Sequence, residues 1–118
     1  MSLKYQDYLK KTPNQPCPCP EAFKARKVIA FRFVHEPLLE NDFIPVSIKD
    51  GLKETDGCFH FALSFFSSLD HARKKYKSLA LRINVQSRFG DKICKLDLQE
   101  PDGLSSLPDR NGHFDLHE

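Results

Sequence analysis

Tryptophan is absent from this chain, methionine occurs once, and only five glycines are spread through its 118 residues. Those glycines fall into neither a G-x-G-x-x-G nor a G-x-x-x-x-G-K pattern, which excludes nucleotide binding on a glycine-rich phosphate loop. A G-x-S-x-G elbow and a zincin helix motif are also missing, so no hydrolase is indicated by motif. No run approaches the roughly 18 consecutive apolar residues that cross a bilayer as a helix, nor does the N-terminus carry the roughly 7–15-residue apolar stretch of a secretory signal. The expectation is a soluble, cytoplasmic protein that does not partner a membrane. Internal repeats are absent, and the only biased segment is a short Pro/Cys stretch near the start.

What is present fits an ordinary globular domain: 40% of residues are apolar and 29% charged, and ten phenylalanines foretell a Phe-rich core. A chain of this length supports one modest core. The first segment, LKYQDYLKK, spaces Tyr5, Tyr8 and Leu9 as on a short helix, and TPNQPCPCPE places Pro13, Pro16, Pro18 and Pro20 close together, predicting an extended spacer. Residues 1–20 are therefore read as a short helix and a Pro-rich spacer, and 21–118 as a single α+β domain. With no secretion signal, the four cysteines are expected to be free thiols. Cys17 and Cys19 stand closer than the usual zinc-knuckle spacing of about two to four intervening residues, and no second such pair follows.

Within 21–118, EAFKARK is helix-compatible, and VIAFRFV (28–34) reads as a central strand because it is apolar on both faces except at Arg32. FIPVSI suits an edge strand because of Pro45, and Asp50-Gly51 and Asp56-Gly57 signal turns. Cys58 to Leu63 reads as a buried strand. Ser67-Ser68-Leu69-Asp70 has the form of a capping box that opens a helix whose apolar stripe is Leu69, Ala72, Tyr76 and Leu79. Leu81, Ile83 and Val85 alternate with polar residues as in a strand, and alternation resumes at Cys94, Leu96 and Leu98, so a hairpin turning at Gly90-Asp91 is predicted. The sum is a small mixed or antiparallel sheet of four or five strands, one main amphipathic helix and long irregular loops.

The chain closes on HFDLH, with His113, Asp115 and His117 on one face of a strand. At about 3.3 Å per residue, the two outer histidines leave the strand about 13 Å apart, so all three cannot ligate one metal. A pair can, and His60, His113 and Asp115 form the candidate metal set if the His60 segment lies alongside. His113, Asp115 and His117 are the candidate catalytic groups, since imidazole titrates near neutrality. The plainer alternative is the polar face of a half-buried strand, with Phe114 and Leu116 turned to the core.

Charge is segregated along the chain. Residues 71–95 hold eight Lys/Arg against one acid, a balance of +7, whereas residues 97–118 balance at −5. Arg73, Lys74, Lys75, Lys77, Arg82 and Arg88, with Phe89 as a stacking surface, form a candidate site for nucleic acid or an acidic protein surface. The same cations can instead be a solvated helix face or pair with the chain's own acidic loops. Two functions follow as expectations: a binding or regulatory module using a basic helix-hairpin surface, or a metal-assisted hydrolase or nuclease built on HFDLH. The sequence identifies no cofactor.

Overall fold

Seven residues rich in β-branched and aromatic side chains form β1 (Val28–Val34), and the computed structural model places this strand inside the sheet, as its two apolar faces predict. Residues 3–12, 15–45, 48 and 57–118 are described. The other strands are β2 (Leu63–Phe66), β3 (Lys92–Leu98), β4 (Leu104–Ser105) and β5 (His113–His117). They align in the order β3-β1-β2-β5-β4 with every pairing antiparallel. One longer helix, α2 (Leu69–Ala80), joins the short α1 (Gln6–Leu9) and α3 (Val85–Phe89) to complete an α+β fold. Among the described residues, no helix is long and apolar enough to cross a membrane.

The sheet consists of two ladders joined at one rung. β1 pairs with β3 along its whole length, from Val28↔Leu98 to Val34↔Lys92, and β2 pairs with β5 from Leu63↔Leu116 to Phe66↔His113. Between β1 and β2 the register has the single pair Phe31↔Phe66. Arg32 bridges this joint. Its Nε donates to the carbonyl of Asp42 at 2.8 Å and its Nη1 to the carbonyl of Ser64, also at 2.8 Å, while the guanidinium lies 5.9 Å from the Phe43 ring and 5.7 Å from that of Phe65. Burial pulls the Arg32 pKa below its ordinary value, with Asp42, Cys94 and Glu118 opposing the change. Charged donors of this kind are stronger than neutral ones, and the planar fork can serve two carbonyls at once.

One face of the sheet carries the main core of Ala30, Leu63, Phe65, Leu98, Phe114 and Leu116, with Phe65 stacked on Phe114 at 5.7 Å. On the other face, Phe33 contacts Phe66, Tyr76 and Phe89. Of the α2 stripe, Ala72 is fully buried, Tyr76 and Leu79 are half-buried and Leu69 is exposed, and the Tyr76 hydroxyl donates to the Gly90 carbonyl at 2.7 Å. Gly90 has φ +89°, and a Cβ there would stand 2.0 Å from the Val34 carbonyl oxygen, so only glycine fits where α3 turns into β3. The helix cap is Ser68, which accepts the His71 amide, one residue later in the motif than a box closed by Asp70 requires.

Several local expectations are corrected. Cys58–Phe61 is a 3₁₀ turn, and the strand begins only at Leu63. The predicted strand at Leu81–Gln86 is the end of α2 followed by α3, whose cap is Asn84 accepting the Ser87 amide. Three alternating apolar residues carry little information, and Leu81 proves 88% exposed. The hairpin is lost with that strand, so the basic residues of 73–88 stand on two helices and their connection rather than on a helix and a hairpin. EAFKARK is not helical: residues 20–22 turn, and Lys24 pairs with Ser105 on the edge of β4. Of FIPVSI, residues 43–45 lie outside any strand, while Val46 and Ser47 are outside the described residues, as are the Asp50-Gly51 pair and Asp56.

The N-terminal residues are tied to the rest of the fold. Leu3, Leu9, Cys17 and Phe61 form a second apolar cluster, Tyr8 stacks on Phe61 at 5.9 Å, and the Lys4 amide donates to the Glu118 carbonyl at 2.7 Å. Residues 15–18 make bends in place of the extended run expected from their prolines. Cys17 is joined to Cys58 in a disulfide across 41 positions, which corrects the free-thiol expectation for those two; Cys19 and Cys94 are free. By chain-entropy arithmetic, closing a loop of this length contributes about 4 kcal/mol.

The Arg32 bridge yields a direct prediction. Arg32→Met keeps the apolar stem but leaves two carbonyls without their charged donor, and urea denaturation should show a loss of about 2–3 kcal/mol. Arg32→Lys, whose single ammonium lacks the fork, should recover less than half of it. Wild-type stability in Arg32→Met would show that the two ladders hold together without the guanidinium.

Candidate functional site

A cleft of about 360 Å³ is lined by residues from the sheet, from α2 and α3, from the loop after β1 and from the 3₁₀ turn before β2. Aromatic rings dominate it: Phe33 and Phe66 from the strands, Phe89 from α3, and Phe59, which is 62% exposed and tilted by 31° against His60 at 4.0 Å between ring centres. The cations Arg32, Lys75 and Arg88 also line it, against the single carboxylate of Asp42. An apolar, aromatic cavity with convergent cations suits a ligand that has both flat rings and negative charge.

The predicted basic residues do not form one surface. Lys75 and Arg88 face the cleft, with the Arg88 guanidinium 5.6 Å from the Phe89 ring. Arg73 and Lys77 instead border a shallower depression with Tyr76, Asp91 and Ile93, and Lys74 and Arg82 are exposed. The acidic neighbours do not neutralise this group: among the described residues, the lysine ion pairs are those of Lys92 with Glu36 and Asp91, and none of Arg73, Lys74, Lys75, Lys77, Arg82 and Arg88 has a carboxylate partner.

The HFDLH residues are divided too. The expected strand is present, and His113 Nε2 lies 3.6 Å from Asp115 Oδ1. Burial pushes the Asp115 carboxyl up, while the neighbouring His113 and a hydrogen bond with Ser64 pull the other way. His113 lines the cleft, edge-on to Phe66 at 5.7 Å. His60 lines it as well, from the 3₁₀ turn, where its Nδ1 accepts the Gly57 amide at 2.9 Å. Among the described residues, His60, His113 and Asp115 are not a trio with converging ligand atoms.

His117 belongs to a different neighbourhood. It is 1% exposed, edge-on to Phe23 at 5.1 Å, with Nε2 3.6 Å from Cys58 Sγ and, among the described residues, no hydrogen-bond partner for Nδ1. Burial lowers its pKa to about 4, so the ring is neutral at physiological pH. One sulfur each from Cys17 and Cys58 and one nitrogen of His117 all lie within 4.8 Å of each other, the only such trio among the described residues. Sequence spacing gave no sign of it, since 41 and 59 positions separate Cys58 from its two neighbours.

Beside the cleft, the Asp42 carboxylate acts as a clamp for the loop after β1. Oδ2 accepts the amides of His35 and Leu39 at 3.0 and 2.9 Å, and Oδ1 meets His35 Nδ1. Burial pushes the Asp42 carboxyl up, but the hydrogen bonds from His35 and Leu39 outweigh it and hold the group below its ordinary value. The hydrogen bond to Asp42 raises the His35 pKa, against a smaller effect of burial. The opposite nitrogen, Nε2, lies 3.3 Å from the Ser87 carbonyl, linking the clamp to α3.

Set against protein-family models, curated proteins and solved structures, the chain matches none.

The clamp predicts a defined pH window. The His35 contribution is complete below its unfolded pKa near 6.5 and is lost as pH rises through the raised folded value. The Asp42 contribution is complete above its unfolded pKa near 3.9 and is lost as pH falls through the lowered folded value. Both are present from about pH 4 to 6.5. The stability difference between wild type and Asp42→Asn, taken from urea midpoints, should peak in that window and shrink on either side. A difference that does not vary with pH would mean that no charge is shared between the two side chains.

Proposed function

We propose that the protein is a binding module whose cleft accepts a polyanion carrying flat rings, namely single-stranded nucleic acid, with a non-catalytic or regulatory role. The observation that supports this reading is the juxtaposition of Lys75 and Arg88, which have no acidic partner among the described residues, with the rings of Phe59 and Phe89 in one cleft. Phosphates require positive charge within reach, and bases require an exposed ring on which to stack. Arg32, already engaged by two carbonyls, holds the wall of the cleft and adds positive potential. His113 adds a further polar group to the lining.

The alternative, a metal-assisted hydrolase on the HFDLH strand, has less behind it. His113 lines the cleft with Asp115 beside it, but His117 has turned to the sulfurs, and among the described residues no third ligand converges on the pair. A cytoplasmic setting remains part of the favoured reading. A disulfide in that compartment is expected to be used reversibly, for sensing or catalysis, rather than as a fixed staple.

Fluorescence anisotropy with a labelled single-stranded oligonucleotide tests the reading. Affinity should be highest at low salt and fall linearly on a log–log plot. Removing two phosphate contacts with Lys75→Ala and Arg88→Ala should flatten the slope by about 1.4. Phe59→Ala should cost about 1–3 kcal/mol with the slope unchanged. No binding at low salt, or binding indifferent to neutralising Lys74, Lys75 and Lys77, would discard nucleic acid and leave an acidic protein surface as the partner.

A further inference from the structure

The Cys17–Cys58–His117 neighbourhood presents a chemical puzzle that the cleft does not use. A histidine is buried to 1% exposure against an apolar cluster, with Nδ1 unpartnered among the described residues and Nε2 turned to a sulfur at 3.6 Å, a weak hydrogen-bond acceptor. Burying an imidazole in this way is unfavourable, and unsatisfied buried polar groups are rare in native proteins. A phenylalanine or leucine would fill the space without that cost. The Nε2 side of the ring already faces the Cys58 sulfur, and the Cys17 sulfur belongs to the same cluster, so the chemistry open to that nitrogen is ligation beside two cysteines.

From this convergence we infer that, once the Cys17–Cys58 disulfide is reduced, Cys17, Cys58 and His117 form a zinc site, so that the same three side chains alternate between a disulfide and a metal centre. Two thiolates and one imidazole are a donor set that zinc favours, with water at the fourth position. The ligand atoms already lie within 4.8 Å of one another. Around one tetrahedral ion, with Zn–S about 2.3 Å, the sulfurs would sit roughly 3.7 Å apart, a separation reached by small side-chain rotations once the S–S bond is gone. Because Cys17 belongs to the N-terminal segment, Cys58 to the 3₁₀ turn and His117 to β5, the disulfide fastens that segment to the turn, and the metal would fasten it to the sheet as well.

The balance of the exchange is explicit. A dithiol reductant attacks the disulfide; the S–S bond of Cys17–Cys58 breaks, a new S–S bond forms within the reductant, and two electrons and two protons pass to the protein as two thiols. Zinc then displaces both thiol protons, releasing two protons to buffer for each ion bound. Oxidation by a disulfide of the same class returns the protein to its starting state and expels the metal.

The test uses the full chain, reduced with a dithiol, freed of reductant without oxygen, and titrated with zinc chloride beside an oxidised sample. Native mass spectrometry should show one zinc per reduced chain and none per oxidised chain, and calorimetry in buffers of different ionisation heat should report two protons released. Cobalt(II) in place of zinc should give thiolate charge-transfer absorption and the d–d bands of a tetrahedral ion. Cys17→Ser should abolish stoichiometric binding, His117→Gln should weaken it at least tenfold, and Cys19→Ser should leave it intact. If reduction unfolds the chain, recovery of the fold on adding zinc supports the site, and failure to recover it overturns the proposal. A reduced, folded chain that takes up no zinc also overturns it, as does equal zinc uptake by the oxidised chain. Should the variants not fold, the wild-type stoichiometry, proton count and cobalt spectrum decide the matter.

Discussion

The guanidinium of Arg32 lies where the two ladders of the sheet meet, and much of the remaining geometry hangs on that joint. β1 and β2 share one register pair, so the backbone alone gives them little mutual hold. Arg32 supplies it by spanning the Asp42 and Ser64 carbonyls while its flat face approaches Phe43 and Phe65. The loop after β1 is fixed by the same arrangement, because Asp42 gives its carbonyl to Arg32 and its carboxylate to His35 and Leu39. Through His35 the hold extends to the Ser87 carbonyl on α3. A half-buried cation in the sheet thus acts as a structural crosslink that also lends its potential to the cleft beside it.

That arrangement explains how one small fold keeps two unlike neighbourhoods apart. The cleft is cationic, aromatic and open, and it lies where α2 and α3 stand over the sheet. The sulfur–imidazole cluster is closed and apolar, and it lies where the N-terminal residues meet β5 and the 3₁₀ turn. β5 runs through both, delivering His113 to one and His117 to the other on a single five-residue strand. The alternation that put these histidines on one face made them look like partners. The 13 Å or so along the strand gave them separate environments instead.

How far the amino-acid sequence foretold this depended on how much local physics each segment contained. β1, β5 and α2 were legible because a seven-residue run apolar everywhere but Arg32, strict alternation at HFDLH and a Ser-capped stripe ending at Leu79 each satisfy a strong local rule. Leu81–Gln86 was misleading because a short alternation is shared by strands and by helix ends, and the Asn84 cap decided the outcome. The Cys17–Cys58 link was invisible because it joins residues 41 positions apart, and only the folded chain brings them together. Of the candidate site residues, Lys75, Arg88, Phe89, His60 and His113 are gathered in the cleft, whereas Arg73 and Lys77 are on another flank and His117 has different company. Helix periodicity placed these cations on α2 without revealing which neighbour each would face.

The borders of the sheet have a consequence for assembly. β3 forms one border and carries the exposed charges Lys92, Lys95 and Asp97, and β4 at the other is only two residues long, with Lys24 already bridged to Ser105. Charged or very short borders discourage a further chain from extending the sheet by backbone pairing. The molecule is thereby shielded from fibre-like growth of its own kind, and a visitor finds its readiest foothold in the side chains above the sheet rather than along its margins.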